Sequence, residues 1–393
     1  RSRVRRRRRQ RNKIMPYSYF THLECPRDGS KYQRDQIATL CQVCGSPLFA
    51  RYDLSLARPN LIDANEPGLW RYHAVLPVFD RANRIFLGEG RTPLIHAQRL
   101  GAHFGLTNLY LKEESRNPTD SFKARGMALA VSKAKELGIK KLATPTAGNA
   151  GSALAAYGAA AGLEVHLVMP RDTPRPIIEE CIALGADVQL IDGLISDAGR
   201  IVREKAPSEG WFDVATFKEP YRAEGKKTMA YELWEEFDRV LPDVIVYPTG
   251  GGTGLVGMHK AFEELGYMNM IDKDSPKPKF AAVQADGCAP VVKSFKENLD
   301  SCSMWENAQT VAAGLRVPKP LADYLILRAL RESHGTALTV TDAEIGAATK
   351  LIGASEGVFA SPEAAATVAA LPYLQRYGFI APDARVVLFV TGG

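Results

Sequence analysis

Residues 141–169 read Lys141-Leu-Ala-Thr-Pro-Thr-Ala-Gly-Asn-Ala-Gly-Ser-Ala-Leu-Ala-Ala-Tyr-Gly-Ala-Ala-Ala-Gly-Leu-Glu-Val-His-Leu-Val-Met169. Lys141–Thr144 and Glu164–Met169 are short apolar runs of strand length, and Ala150–Ala161 between them is an alanine-rich helical pattern. Strand, helix and strand packed this closely predict a βαβ unit, with parallel strands and a right-handed crossover. At the end of its first strand, Asn149 stands between Gly148 and Gly151. Small neighbours let its amide lie flat against a ring substituent, while nearby backbone N–H groups stay free for a carboxylate. Thr146, Ala147, Gly148 and Ser152 are the candidates around such a carboxylate. The plainer reading of Asn149 is a helix N-cap.

The same alternation continues in both directions. Helix Pro176–Leu184, strand Asp187–Ile191 and helix Ser196–Lys205 follow. A second set comprises helix Gly225–Asp238, strand Asp243–Tyr247, helix Leu255–Leu265 and strand Phe280–Gln284, and the chain closes on the apolar strand Ala384–Val390. Upstream lie helix Gly126–Leu137, strand Asn108–Lys112 and a glycine-rich turn, Leu87–Leu94, before another short strand. This pattern predicts an α/β protein with two doubly wound, open-sheet domains and a cleft between them. The smaller spans 127–215 and the larger combines 61–126 with 216–393. Residues 15–60 form a small appendage and 1–14 a disordered basic arm. There is no internal repeat.

Two loops carry chemistry besides the one at Asn149. Asn117-Pro-Thr-Asp-Ser-Phe-Lys-Ala-Arg-Gly126 leads from turn and cap residues into a helix. An ammonium on Lys123 would face the positive end of the helix dipole, which favours the neutral amine, and a neutral amine can add to an aldehyde to give a Schiff base. Taken alone, Lys123 would be read as a surface lysine. Pro248-Thr-Gly-Gly-Gly-Thr-Gly254 lies between a buried strand and a helix. Its glycines let consecutive N–H groups converge on one concavity beside a helix N-terminus, a site for a phosphate monoester. No lysine follows, so it is not a nucleoside-triphosphate loop. Gly252, Gly254 and Gly257 match a dinucleotide fingerprint, but that motif belongs in the first βα turn with an acidic residue closing the next strand. Here it comes late, and Asp272 and Asp274 fall in a polar loop.

At 393 residues, 46% hydrophobic and 24% charged, the composition is that of an ordinary two-domain soluble protein. No run of about 18 apolar residues suggests a membrane span. Arg1 to Lys13 contributes nine basic residues; without them the formal charge of +6 becomes −3. The basic pI therefore belongs to the arm, and no nucleic-acid partner is expected for the body. The arm is read as an appended or upstream segment, with Met15 as the native start. Six scattered cysteines point to a reducing cytoplasm. Near the start, Cys25-Pro-Arg-Asp28 and Cys41-Gln-Val-Cys44 resemble a zinc ribbon in which Asp28 replaces one of four cysteines. Asp28 or His22 could complete a ligand set, but three thiols with a hard carboxylate is uncommon, and a ribbon that folds without metal is expected.

Lysine loop, asparagine loop, glycine loop and terminal Thr391-Gly-Gly393, in this order, resemble the fold-type-II pyridoxal phosphate (PLP) enzymes, and among them the threonine synthase family. The resemblance covers the chain after about Gly88. It rests on LGEGRTPL, NPTDSFKARG, GNAGSALAAY, EPYRAEGKKT, PTGGGTG, SEGVFASPEAAA and VTGG. It implies that Lys123 holds pyridoxal 5'-phosphate covalently, that Phe122 borders the ring and that Asn149 bonds its 3′ oxygen. Gly250, Gly251, Gly252, Thr253 and Gly254 would bind its phosphate, and Thr391 would face the ring nitrogen. A hydroxyl there leaves that nitrogen largely unprotonated. The implied reaction is γ-elimination of phosphate from O-phospho-L-homoserine with water addition at the β carbon, giving L-threonine. Arg222 is the candidate for the substrate phosphate, with Lys226 beside it. A small amino-acid substrate and a homodimer are likewise implied. Departures include Asp120 and Ala124 where glycine and aspartate are common, Lys218-Glu219 before Pro-Tyr-Arg, and the missing histidine after the terminal Thr-Gly. They leave open a threonine or serine dehydratase, or a β-replacing cysteate or cysteine synthase. Outside these classes stand a non-catalytic PLP-fold binding protein and a nucleotide-binding dehydrogenase.

Overall fold

In a computed structural model of the chain, residues 16–272 and 276–393 are described; the basic arm and Met15 lie outside them. Two sheets organise the body. The larger has six strands in the order Thr336–Val340, Lys279–Ala285, Val244–Pro248, Arg385–Val390, Asn108–Glu113 and Leu94–His96. Its pairs are parallel except the last, where Leu94–His96 runs antiparallel at the edge. The smaller is wholly parallel, in the order Asp187–Ile191, Glu164–Pro170, Lys141–Pro145 and Phe212–Asp213. Residues Val244–Pro248 are buried throughout, as are the last five of Arg385–Val390. Helices on both faces leave no side of such a strand for polar residues.

The helices match the sequence pattern within a few residues at most ends. The helix expected from Gly126 begins earlier and spans Lys123–Glu136, so Lys123 is its first residue. That expected over Ser196–Lys205 runs Ile195–Glu209, through Pro207, to a left-handed Gly210. A proline one turn from the end forfeits only one bond of the ladder. Helix Tyr221–Glu236 crosses helix Lys123–Glu136 at a pair of glycines. A Cβ on Gly225 would lie 2.0 Å from Arg125 O, and one on Gly126 would lie 3.2 Å from Arg222 O. Without side chains at the crossing, the two backbones come into contact.

Behind that crossing, Arg125 is buried between two carboxylates. It donates to Glu114 (2.7 and 2.8 Å) and Glu232 (2.6 and 2.7 Å), and to the hydroxyls of Thr228 and Thr92. Lys112 joins from the sheet, 3.1 Å from Glu232 and 2.8 Å from Glu236. Each buried charge is thus paired and hydrogen-bonded, the condition under which burial is tolerated. A three-stranded antiparallel sheet (Lys31–Gln33, Phe20–Glu24, Phe49–Tyr52) sits at the N-terminal side. Its Tyr52 hydroxyl donates to Glu224 at 2.7 Å, tying it to helix Tyr221–Glu236.

Candidate active site

The loops at Lys123, Asn149, Gly250–Gly254 and Thr391 all follow the carboxyl ends of parallel strands, where open α/β sheets place their ligands. The lysine loop is shaped by two left-handed residues, Thr119 (φ 57°) and Asp120 (φ 49°). Asp120 thus occupies a conformation that glycine takes freely and aspartate tolerates. The chain terminus zips against this loop. Ser121 bridges to Gly392, Phe122 N donates to Thr391 O at 3.0 Å, and Gly393 N approaches Asp120 O at 3.4 Å. That pairing brings Thr391 beside Lys123.

Phe122, Lys123, Gly250, Gly251, Gly252, Thr253, Gly254 and Thr391 line one cavity. Thr216, Tyr247, Pro248, Gly314, Leu315 and Glu363 complete its wall. The glycine loop fits a phosphate. No N–H from Gly250 to Gly254 has a partner among the described residues, and helix Thr253–Tyr267 starts without a side-chain cap. Nor could other residues replace its glycines. A Cβ at Gly250 would lie 2.1 Å from Gly314 O, at Gly251 2.7 Å from Thr216 Cγ2, and at Gly254 1.8 Å from the Tyr247 hydroxyl. That hydroxyl is buried with no partner among the described residues, so it too can meet an anion. Cradle, terminal hydroxyl and lysine together suit PLP.

The remaining sequence candidates lie outside this wall. Asn149 is the first residue of helix Asn149–Ala161, and its Nδ2 would be 3.3 Å from a Cβ on Gly392, beside the chain terminus. Thr146 Oγ1 accepts from Gly148 N (3.2 Å) and Gly151 N (3.0 Å), so it shapes the loop carrying Ala147 and Gly148. Ser152 faces the Cys181 thiol on the neighbouring helix Arg175–Ala183. Arg222 is buried; its Nη1 donates to Val214 O at 2.7 Å, while its Nε has no partner among the described residues. Lys226 Nζ donates to Phe122 O and stands 4.4 Å from the centre of that ring.

Positive charge therefore gathers here. Burial, then Arg222, bring the Lys123 amine down to about 8, against the pull of Glu363. Burial, then Lys123 and Arg222, hold Lys226 well below the usual lysine range. Of the carboxyls facing Arg222, Glu219 and Asp213, burial lifts Glu219 to about 7, although Arg222 opposes it, and burial also raises Asp213. Glu363, which also accepts from Gly314 N at 2.6 Å, was legible only as part of SEGVFASPEAAA. Tyr247 and Pro248 could have been found from their place directly before the glycine loop. Gly314 and Leu315 carried no sequence signal.

Residues 85–392 match the family model described as pyridoxal-phosphate dependent enzyme. A threonine synthase of Methanosarcina acetivorans is 36% identical over 374 residues, covering 94% of this chain and 91% of the relative. One from Halalkalibacterium halodurans is 34% identical over 325 residues, covering 82% and 88%. Among solved structures, maize serine racemase aligns with a TM-score of 0.67 at 21% identity, over 77% of this chain and 88% of that one. The processed form of threonine deaminase isoform 2 from Solanum lycopersicum aligns with a TM-score of 0.65 at 24% identity, over 77% and 83%. These two show the shared fold. The chain belongs to the pyridoxal-phosphate dependent enzyme family, as a homologue of the threonine synthases.

Proposed function

We propose that the protein is a PLP-dependent threonine synthase, a lyase converting O-phospho-L-homoserine and water to L-threonine and phosphate. The observation that carries this reading is Arg222. A buried guanidinium whose Nε has no partner among the described residues acts electrostatically on Lys123 and is not part of the wall that the glycine loop lines. A substrate that brings its own phosphate supplies the second anion this position calls for. An unphosphorylated amino acid does not.

The cofactor, when bound, supplies an electron sink for negative charge at the substrate carbons. The protein's part is anchoring, orientation and proton transfer. Gly250 to Gly254 would anchor the cofactor phosphate through backbone N–H groups, with Phe122 bordering its ring and Asn149 bonding its 3′ oxygen. Thr391 would meet the ring nitrogen with a hydroxyl, which supplies no charge to hold a proton there. Lys123 Nζ, brought down to about 8, would take the substrate's α proton and return a proton as the reaction completes. Arg222 would neutralise the departing phosphate as its charge grows, and Lys226 would hold Phe122 through its carbonyl. Thr146, Ala147, Gly148 and Ser152 belong, in this reading, to the loop that receives the substrate carboxylate.

We further propose that residues 127–215 form the smaller α/β domain and that the chain acts as a homodimer in the cytoplasm. Six free thiols suit a reducing compartment. Exposed Leu299, Met304, Val311 and Leu321 suit a further contact surface. Among the described residues no helix is long and apolar enough to cross a membrane. The function is tested by offering O-phospho-L-homoserine, O-phospho-L-serine and L-threonine to the purified protein in parallel. Threonine and phosphate should appear from the first alone. Formation of 2-oxobutyrate from L-threonine as the main reaction would make it a dehydratase.

A further inference from the structure

The N-terminal sheet carries a second, unrelated arrangement of chemical groups. Its two turns are built alike. Cys25 N donates to Ser30 O (2.8 Å) and Gly29 N to Cys25 O (2.9 Å); Cys41 N donates to Ser46 O (2.8 Å) and Gly45 N to Cys41 O (2.9 Å). Gly29 (φ 77°) and Gly45 (φ 71°) make the same left-handed step. In this repeat Asp28 occupies the position that Cys44 holds in the other turn. The substitution of carboxylate for thiol has left the turn itself unchanged.

The two turns face each other. Ligand atoms of Cys25, Asp28, Cys41 and Cys44 all lie within 4.8 Å of one another. Cys25 Sγ is 3.5 Å from Cys44 Sγ, and Cys41 Sγ is 3.2 Å from Asp28 Oδ2. A tetrahedron with zinc–sulfur bonds of about 2.3 Å and a zinc–oxygen bond of about 2.0 Å has edges of roughly 3.5 to 3.8 Å. The measured separations are close to such edges, and 3.5 Å is far from the roughly 2.05 Å of a disulfide. His22, the other candidate for the fourth ligand, is turned to Glu24 and Thr21 and is not in the group.

We propose that Cys25, Asp28, Cys41 and Cys44 bind one Zn²⁺ ion as a structural site. Three thiolates select a soft or borderline metal, and zinc accepts a carboxylate oxygen as its fourth ligand. On binding, each thiol releases its proton to solvent as its sulfur takes the metal; nothing is oxidised or reduced. The expectation of a metal-free ribbon rested on the unusual donor set alone, and the matched turns outweigh it. The site also has a mechanical connection to the body. Arg27, within the first turn, lies over the ring of Tyr324 at 4.2 Å. Tyr324 belongs to helix Asp323–Glu332, whose Ile326 packs against Gly252 of the glycine loop.

The test uses the full chain expressed with added zinc and dialysed against metal-free buffer. Elemental analysis should give about one zinc per chain, and cobalt reconstitution should give the intense visible bands of a tetrahedral thiolate site. Asp28→Ala should lose most of the metal and weaken those bands. Asp28→Cys, which completes a four-thiol set and should fold at least as well, should retain zinc and release it several-fold more slowly to a chromophoric chelator. Zinc removal should lower Tm. Far less than stoichiometric zinc in the unaltered chain, a Cys25–Cys44 disulfide in the non-reduced peptide map, or full zinc with an unchanged cobalt spectrum in Asp28→Ala would each overturn the assignment.

Discussion

Arg222→Gln separates a phosphorylated substrate from an unphosphorylated one. Arg222 spends Nη1 on Val214 O and leaves Nε buried with no partner among the described residues. A phosphate brought alongside would take at least one charge-assisted bond from that free edge, and glutamine can replace the Val214 contact but not the charge. One such bond contributes about 1.5–3 kcal/mol, so kcat/KM for O-phospho-L-homoserine should fall by about 10- to 150-fold. Inorganic phosphate should inhibit wild type competitively and the variant poorly. A second readout follows from charge. Arg222 is the second-largest cause, after burial, of the lowered Lys123 amine. Removing it favours the ammonium, so the midpoint pH for covalent attachment of added PLP to the apo-protein should rise above about 8. Bound PLP should keep its absorbance, because in the proposed site its phosphate would rest on the separate glycine loop. Wild-type kcat/KM in the variant, with unaltered phosphate inhibition, would refute the assignment of Arg222 and with it the argument for a phosphorylated substrate.

Lys123→Ala should abolish the adduct that borohydride fixes on the lysine of wild type and lower the rate by several orders of magnitude; peptide mapping that finds the fixed adduct on another lysine would displace Lys123. Arg125→Met should leave Glu114 and Glu232 buried with less compensation than before. With Lys112 and Thr92 still in place, the loss should be about 3 kcal/mol, read as a lower urea midpoint at unchanged slope. An unchanged midpoint would mean that the network behind the lysine helix does not stabilise the fold.

Strand and helix order was legible because each motif sits where hydrophobic period changes from two to about 3.6. The βαβ unit at 141–169 and the lysine and glycine loops could be placed on strand ends without coordinates. The region from 286 to 383 was less legible. Thr336–Val340 completes the larger sheet, yet its five residues alternate little, although the helix before it, Asp323–Glu332, is amphipathic with Leu325, Ile326, Leu327, Ala329 and Leu330 buried. Helix Asp342–Glu356 did carry a signal, the Thr341–Glu344 capping box, in which Glu344 N donates to Thr341 Oγ1 at 3.2 Å. Gly314 could not have been found by any local rule. It reaches the cavity because its carbonyl approaches Gly250 across 64 positions of chain, a contact made by packing. Lys226 and Arg222 are legible as candidates, four positions apart on one helix, but how strongly they act on Lys123 depends on how closely Gly126 and Gly225 let that helix approach the lysine helix.

The central claim, elimination at the γ carbon followed by hydration at the β carbon, is tested most directly by turnover of O-phospho-L-homoserine in ¹⁸O-labelled water. Carbon–oxygen cleavage leaves the released phosphate with its original oxygens and sends the label into the hydroxyl of threonine. The proposed function predicts one labelled oxygen in L-threonine and none in the phosphate. Label in the phosphate with homoserine as co-product, or 2-oxobutyrate in place of threonine, would contradict it.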